Sequence, residues 1–171
     1  FFCQLNFLPY CEGSEMGSWF SVVNEDTAGA GSPNLRTNQT CKVVTVGPCG
    51  SGKTSLLKRY IDGYFPERIR NFGIDHYYKE IDLGNQEVKL TVLDPQVDPR
   101  FPYFTSAYFR QANAILIVTS VTGTNPMEEI KIWHGKIKER IATDVKIYIV
   151  GSKIDLEDQR TVSSDEMNHF A

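Results

Sequence analysis

Residues 47–54, GPCGSGKT, match the pattern G-x-x-x-x-G-K-[ST] of a phosphate-binding loop. They lie between an apolar run, CKVVTVG, and a helical segment, SLLKRYIDG, which is the strand–loop–helix context that the motif requires. Backbone N–H groups of such a loop bind phosphate together with the helix N-terminus. Lys53 would bring positive charge to the β- and γ-phosphates, and the Thr54 hydroxyl can ligate Mg²⁺. The nucleotide-binding residues expected in the loop are Gly47, Pro48, Cys49, Gly50, Ser51, Gly52, Lys53, Thr54 and Ser55.

A second polar stretch, GSKID (151–155), follows the apolar run VKIYIV and bears on the identity of the base. Asp155 could accept hydrogen bonds from the N1–H and 2-amino groups of guanine, which adenine lacks. Lys153 could lie along the base and ribose, and Ser152 completes the expected base-binding set. Downstream of a phosphate loop, this pattern favours guanine. The alternatives are a solvated loop with ordinary charges and, as a different class of protein, a P-loop ATPase or kinase.

Alternating strands and helices predict a doubly wound, mostly parallel α/β sheet that would position these residues. The dipeptide Gly84-Asn85 indicates a hairpin, which adds one antiparallel edge strand. Strands are expected at 41–47, 75–83, 86–94, 114–120 and 145–151, and the first and the last two are expected to be buried.

Three helices are expected, of which the first follows the phosphate loop at 55–63 and the last starts at 163–166. The middle helix starts at Asn125, with Pro126 in its first turn and Glu128 at its third position, so the start resembles a capping box. The residues predicted to form the buried face of this helix are Ile130, Trp133, Ile137 and Ile141.

Composition argues against several classes of function. The 171 residues allow one domain, and a 41% hydrophobic content is enough for a packed core. Residues 1–40 hold four acidic residues and one arginine, which accounts for the net charge of −3, so no basic patch indicates nucleic-acid binding. The four cysteines show no metal-ligand spacing, and one of them, Cys49, lies inside the phosphate loop, which favours a reduced, intracellular protein. No apolar run approaches the ~20 residues needed to span a bilayer.

Taken together, these residues resemble the Ras superfamily of small GTPases, and its Rab branch in particular, from about Cys41 to Ala171. The resemblance implies a P-loop NTPase G domain with strand order 2-3-1-4-5-6, GTP and GDP as ligands and Mg²⁺ as cofactor. Lys53 would be catalytic, and Asp94 would hold the metal through water. Beyond the phosphate loop, the resemblance is carried by GKTSLLKRYIDGYF (52–65), FGID (72–75), SAYFRQANAILIVTSVT (106–122), Trp133 and GSKIDL (151–156).

The same resemblance implies a monomeric switch in vesicle trafficking or signalling, with no nucleic-acid partner. The protein would be cytoplasmic and bound peripherally to the cytosolic face of intracellular membranes. Effector and exchange-factor proteins would bind its switch regions. Tyr77 and Tyr78 lie in the strand where this family meets effectors, and they are either part of a partner surface or ordinary half-exposed strand aromatics.

Several positions depart from the family pattern. Ser152 replaces the asparagine of N-K-x-D, and Asn71 stands where a switch I threonine binds Mg²⁺, so its amide oxygen is the metal ligand expected there. Asp98 stands where the glutamine of D-T-A-G-Q-E orients the attacking water, and Val97 replaces the flexible glycine before it. Cys49 is either a tolerated small residue or one that crowds that water. These departures predict weak intrinsic GTP hydrolysis, and the alternative is a pseudo-GTPase that binds nucleotide without cycling.

The two ends of the chain carry separate expectations. Residues 1–40 are predicted to be a flexible N-terminal arm that precedes the GTPase domain at 41–171. The stretch MGSWFS (16–21) matches the N-myristoylation pattern, which makes Gly17 a lipidation site if Met16 is the start, and residues 1–15 would then lie outside the native product. The last strand and helix of the family are absent, so the domain is expected to be truncated.

Overall fold

The computed structural model describes residues 38–67, 73–82, 87–95, 106–141 and 145–170. No helix within these ranges combines the length and the apolar character needed to cross a membrane. The described residues form one five-stranded sheet and three α-helices. The strands are β1 (Asn38–Val46), β2 (Ile74–Asp82), β3 (Glu87–Pro95), β4 (Ala114–Ser120) and β5 (Lys146–Ser152), and the helices are α1 (Lys53–Asp62), α2 (Pro126–Arg140) and α3 (Ser164–Phe170).

The strand order is β2-β3-β1-β4-β5, and every neighbouring pair is parallel except β2 with β3. This order confirms the predicted doubly wound α/β fold with one antiparallel edge strand. The predicted turn at Gly84-Asn85 lies outside the described residues. β1 begins at Asn38, three residues before the predicted start, because residues 38–40 pair in parallel with residues 87–89.

The core lies on both faces of the sheet because strand side chains alternate between them. On one face, Leu57 of α1 packs with Val43 and Val92 of the central strands. On the other face, α2 and α3 cover the alternate residues of β1 and β4. Ile130, Trp133 and Ile137 of α2 are buried as predicted. Ile141, the C-cap residue directly after the helix, is only half-buried. The glycine-rich segment between β1 and α1 is therefore held between a central strand and a packed helix.

Two local expectations are wrong. β5 is not a buried strand, because it pairs only with β4 in the described sheet, and Val150 is its one buried residue. Asn125 makes no side-chain cap to α2, since its ψ of 65° departs from the extended backbone that an N-cap residue normally adopts. A capping box occurs instead at α3. The backbone N–H of Ser163 donates to Glu166 Oε2 at 2.8 Å, and the backbone N–H of Glu166 donates to Ser163 Oγ at 3.1 Å.

Candidate nucleotide-binding site

The loop between β1 and α1 needs glycine at its two ends. Gly47 has a φ of 143°, and a Cβ atom there would lie 2.0 Å from the carbonyl oxygen of Val118 in β4. Gly52 is the N-cap of α1 with a φ of 87°, in the left-handed region that favours glycine. The backbone of the loop is thus pressed against β4 at its start and turned sharply into the helix at its end.

The predicted loop residues all lie in this segment, in environments that differ. Cys49 and Gly50 are exposed, whereas the backbone and side chains around them are buried or half-buried. An exposed loop tip supported by a buried base is the shape expected of a loop that receives a ligand from solvent. The buried residues are Gly47, Ser51, Lys53 and Thr54, and the half-buried ones are Pro48, Gly52 and Ser55.

Lys53 is the first residue of α1, and its ammonium group folds back over the loop. Lys53 Nζ donates to the carbonyl oxygen of Gly47 at 3.1 Å and to that of Pro48 at 2.8 Å. Burial lowers the pKa of Lys53, while the nearby Asp94 carboxylate and the Cys49 thiol act in the opposite direction. The two carbonyls use two of the three N–H groups of the ammonium, so its positive charge is fixed beside the loop with a donor left for an anion.

Asp94 is fully buried near the end of β3 and receives hydrogen bonds from two hydroxyl groups. Thr54 Oγ1 of α1 donates to Asp94 Oδ2 at 2.5 Å, and Thr45 Oγ1 of β1 donates to Asp94 Oδ1 at 3.0 Å. Three elements therefore converge on one carboxylate at the base of the loop. Thr54 and Asp94 were each expected to hold the metal, whereas Thr45 was not identified from the sequence.

Ser152, at the end of β5, reaches back to the phosphate loop. Its hydroxyl lies 2.5 Å from the carbonyl oxygen of Ser51 and 3.0 Å from that of Thr119 in β4. A hydroxyl has one proton, so these two carbonyls share a single donor. Ser152, predicted as a base-binding residue, is thus brought into contact with the loop backbone.

Lys153 and Asp155 follow in a turn closed by a 3.1 Å hydrogen bond from the N–H of Leu156 to the carbonyl of Lys153. Lys153 has a φ of 59°, an uncommon value for a residue with a side chain, which fixes the direction of the turn. Both side chains are exposed, and among the described residues neither has a hydrogen bond or an ion pair. Their charges are therefore free to meet a ligand beside the phosphate loop.

Ser51 is a buried loop residue whose hydroxyl has no hydrogen-bond partner among the described residues. The sequence predicted that Ser51 belongs to the loop, but nothing in the sequence indicated that its hydroxyl would be buried and unpaired. An unpaired buried hydroxyl costs free energy, and a hydrogen bond to water or to a ligand would offset that cost. Asn71 and Asp98, the predicted switch residues, and Gly17, the predicted lipidation site, lie outside the described residues.

The donor set fits a nucleotide with Mg²⁺. Magnesium prefers oxygen ligands and usually takes one or two from protein, with phosphate oxygens and water completing the shell. A hydroxyl and a carboxylate, from Thr54 and Asp94, are the side chains that meet this need. No cluster of three or more His, Cys, Asp or Glu residues suited to another kind of metal site occurs in the part of the chain that the structure describes.

Sequence comparison shows which known proteins this chain resembles. The Ras family model matches residues 42–171. The human Ras-related protein Rab-12 is 30% identical over 157 residues, which cover 84% of this chain and 64% of that protein. The bovine Ras-related protein Rab-26 is 36% identical over 132 residues, covering 76% of this chain and 52% of that protein. The chain thus spans between about half and two thirds of the length of these curated relatives.

Proposed function

We propose that this chain, which belongs to the Ras family and is Rab-like, is a guanine-nucleotide-binding protein that alternates between GTP and GDP forms. The convergence of Lys53, Thr54 and Asp94 at the base of the loop is the observation that carries the proposal. A switch of this kind would act in vesicle trafficking or signalling.

Each described residue of the site has a distinct task in this proposal. The loop backbone and Lys53 bind the phosphates, because N–H groups and a fixed ammonium group stabilise their negative charge. Thr54 and Asp94 would hold Mg²⁺, which when bound neutralises charge on the phosphate oxygens. Asp155 and Lys153 bind guanine, since a carboxylate accepts two hydrogen bonds from the edge that distinguishes guanine from adenine.

Weak hydrolysis is the expected behaviour of the bound GTP. The support comes from sequence, where Asp98 and Val97 stand in place of the water-orienting glutamine and the flexible glycine. Asp98 would bring a negative charge towards a γ-phosphate that is already negative. Asn71 would supply an amide oxygen in place of the switch I hydroxyl. Transition-state stabilisation would therefore rest on Lys53 and the loop N–H groups.

A second candidate function is a binding module that holds nucleotide without cycling. Pro95 favours it, because this residue is buried, belongs to β3 and lies opposite Ile74 of β2. Proline has a fixed φ, which restricts the conformations of the chain directly after Asp94 at the point where the switch would begin to move.

The partners follow from the proposed family role. Effector and exchange-factor proteins would bind the switch regions, and the protein would act as a monomer on the cytosolic face of intracellular membranes. A lipid on Gly17 would provide one membrane anchor, which by itself gives only marginal binding and needs a second signal.

The decisive experiment measures nucleotide affinity and single-turnover GTP hydrolysis on the full chain. GDP and GTP should displace a fluorescent GDP analogue at concentrations at least about 100-fold lower than ATP, because a base pocket with one carboxylate rejects adenine. Equal competition by ATP, or no binding of any nucleotide, would contradict the proposal. Tight binding without cleavage would establish the second candidate.

A variant pair tests the base contact directly. Asp155→Asn replaces an acceptor by a group that also donates, so the variant should lose affinity for GDP and gain affinity for xanthosine diphosphate, which carries a carbonyl in place of the 2-amino group. Asp158→Asn removes a neighbouring exposed carboxylate and should change neither affinity. If both variants bind GDP like the original chain, Asp155 does not contact the base.

A further inference from the structure

We infer that Thr45 is a positioning residue for the metal site: its hydroxyl fixes the Asp94 carboxylate in the orientation that meets Thr54 and Mg²⁺. The inference rests on the proposed function, because it concerns the same site. It assigns a role to a residue that lies outside the phosphate-loop motif, two positions before Gly47.

The register of the sheet brings Thr45 and Asp94 together. β1 and β3 are parallel neighbours with Val43 beside Val92 and Val44 beside Leu93, so the next step along both strands places Thr45 beside Asp94. Alternation puts the side chains of Thr45 and Asp94 on the face that carries Val43 and Val92, which is the face covered by α1. Thr54 approaches from the first turn of that helix. The three side chains therefore meet on one face for reasons of backbone geometry alone.

A carboxylate needs support on both oxygens to hold one orientation. The terminal torsion of aspartate is broad and moves both oxygens together, so a second hydrogen bond narrows the range of orientations that a single one allows. Thr54 Oγ1 lies 2.5 Å from Asp94 Oδ2, and Thr45 Oγ1 lies 3.0 Å from Asp94 Oδ1. The two hydroxyls thus hold opposite ends of the carboxylate.

Burial makes the Thr45 contact strong and exclusive of water. Thr45 and Asp94 are both 0% exposed, so solvent cannot replace the hydroxyl if it is removed. Thr45 Oγ1 also lies 3.2 Å from the carbonyl oxygen of Leu93, but its single proton is better placed on the nearer carboxylate, which is the stronger acceptor because it is charged. The remaining residues of β1 from Cys41 to Val46, apart from Lys42, are apolar. The Asp94 carboxylate beside it explains why a polar residue, Thr45, occupies this buried position.

Loss of the Thr45 hydroxyl is expected to weaken the binding of Mg²⁺ and to leave the binding of the phosphates unchanged. Partners that orient a metal-binding carboxylate typically alter metal affinity by about 10- to 100-fold. Thr45→Val, which keeps the shape and removes the hydroxyl, should therefore raise the Mg²⁺ concentration that half-maximally slows GDP release by about 10-fold or more. GDP release in the presence of EDTA should remain within about twofold of the original chain, since Thr45 touches no phosphate-binding group.

The test follows release of a fluorescent GDP analogue from the full chain across a Mg²⁺ titration. Thr45→Ser retains the hydroxyl and should restore the original Mg²⁺ dependence. Thr91→Val is the matched control, because it removes a hydroxyl from β3 on the opposite face of the sheet. In an Asp94→Asn background, Thr45→Val should change the Mg²⁺ dependence no further, because the hydroxyl acts through that carboxylate.

The outcomes separate this inference from the proposed function. If the original chain binds no guanine nucleotide, the proposed function fails. If it binds GDP with a Mg²⁺ dependence that Thr45→Val leaves unchanged, Thr45 has no positioning role and the proposed function stands. An equal shift in Thr91→Val, or in Thr45→Ser, would show a general effect on the sheet and would also overturn the inference. Should Thr45→Val fail to fold, persistence of the original Mg²⁺ dependence in Thr45→Ala would overturn it.

Discussion

The contact of Ser152 with the phosphate loop makes a quantitative prediction. Ser152→Ala removes the one hydroxyl that lies within hydrogen-bond distance of both Ser51 and Thr119 carbonyl oxygens. Loss of such a bond lowers the free energy of unfolding by about 1 kcal/mol, and by about 2 kcal/mol if the carbonyls find no water. For a domain of this size that corresponds to a Tm lower by about 2–8 °C.

The same loss should weaken nucleotide binding. Without Ser152 the loop samples conformations that do not fit phosphate, and the free energy of restoring the competent conformation is subtracted from the free energy of binding. A cost of about 1–2 kcal/mol makes the Kd for GDP about 5- to 30-fold higher. The assay is a GDP titration in parallel with urea unfolding of the nucleotide-free chain.

Ser163→Ala is the matched control for this prediction. Ser163 accepts the hydrogen bond that caps α3, and loss of an N-cap costs about 0.5–2 kcal/mol, comparable to the loss at Ser152. Because α3 lies outside the site, Ser163→Ala should lower stability without changing the Kd for GDP. The reasoning is refuted if Ser152→Ala loses stability and binds GDP normally, or if Ser163→Ala weakens GDP binding to the same degree.

Three other residues give predictions of their own. Cys49 is exposed in the loop, so bound GDP should slow its alkylation, and equal labelling rates with and without GDP would contradict a loop that closes on phosphate. Gly47→Ala should abolish GDP binding, because its methyl group would meet the Val118 carbonyl, whereas Gly135→Ala, at an open position of α2, should bind GDP normally in the same titration. The buried Tyr77 hydroxyl has no partner among the described residues, and burial raises the pKa of Tyr77 to about 12. The hydroxyl of Tyr77 in the unfolded chain loses its proton near pH 10, so the free energy of unfolding should fall as the pH rises from about 10 to 12. Tyr77→Phe should remove that part of the fall when unfolding by urea is measured at each pH. If the variant and the original chain show the same pH dependence, Tyr77 ionises normally.

Much of the fold and part of the site could be predicted from local patterns. The phosphate loop is a contiguous motif whose glycine spacing and flanking elements can both be read from the sequence, whereas the role expected of Asp94 came from the family resemblance. The order of the strands came from the family resemblance and was confirmed for the five strands that the structure describes. The predicted capping box at Asn125 was wrong because the sequence pattern does not determine the backbone angle there, and the chain adopts a ψ of 65°.

Contacts between residues that are far apart in the sequence were not predicted, because local patterns carry no information about them. Thr45 and Asp94 are 49 positions apart, and their proximity depends on which strands are neighbours and in what register. A threonine among the valines at the end of β1, residues 43–46, was the available signal. Ser152 was assigned to the base by analogy, and its contact with Ser51, 101 positions away, depends on where β5 ends relative to the loop. Burial of β5 was mispredicted because an apolar run does not state how many neighbours a strand has.

The parallel register of β1 and β3 has a consequence for how this chain can change in length. Side chains alternate along a strand, so the loss of one residue inside β3 before Asp94 would turn its carboxylate to the opposite face of the sheet, away from Thr54. A single deletion there would leave a sheet with much of its pairing and no carboxylate beside Thr54. Insertions at 83–86, between β2 and β3, leave the register with β1 untouched. Insertions and deletions that preserve the site are therefore confined to the segments between strands. Within β1 and β3, the number of residues determines where Asp94 lies relative to the loop.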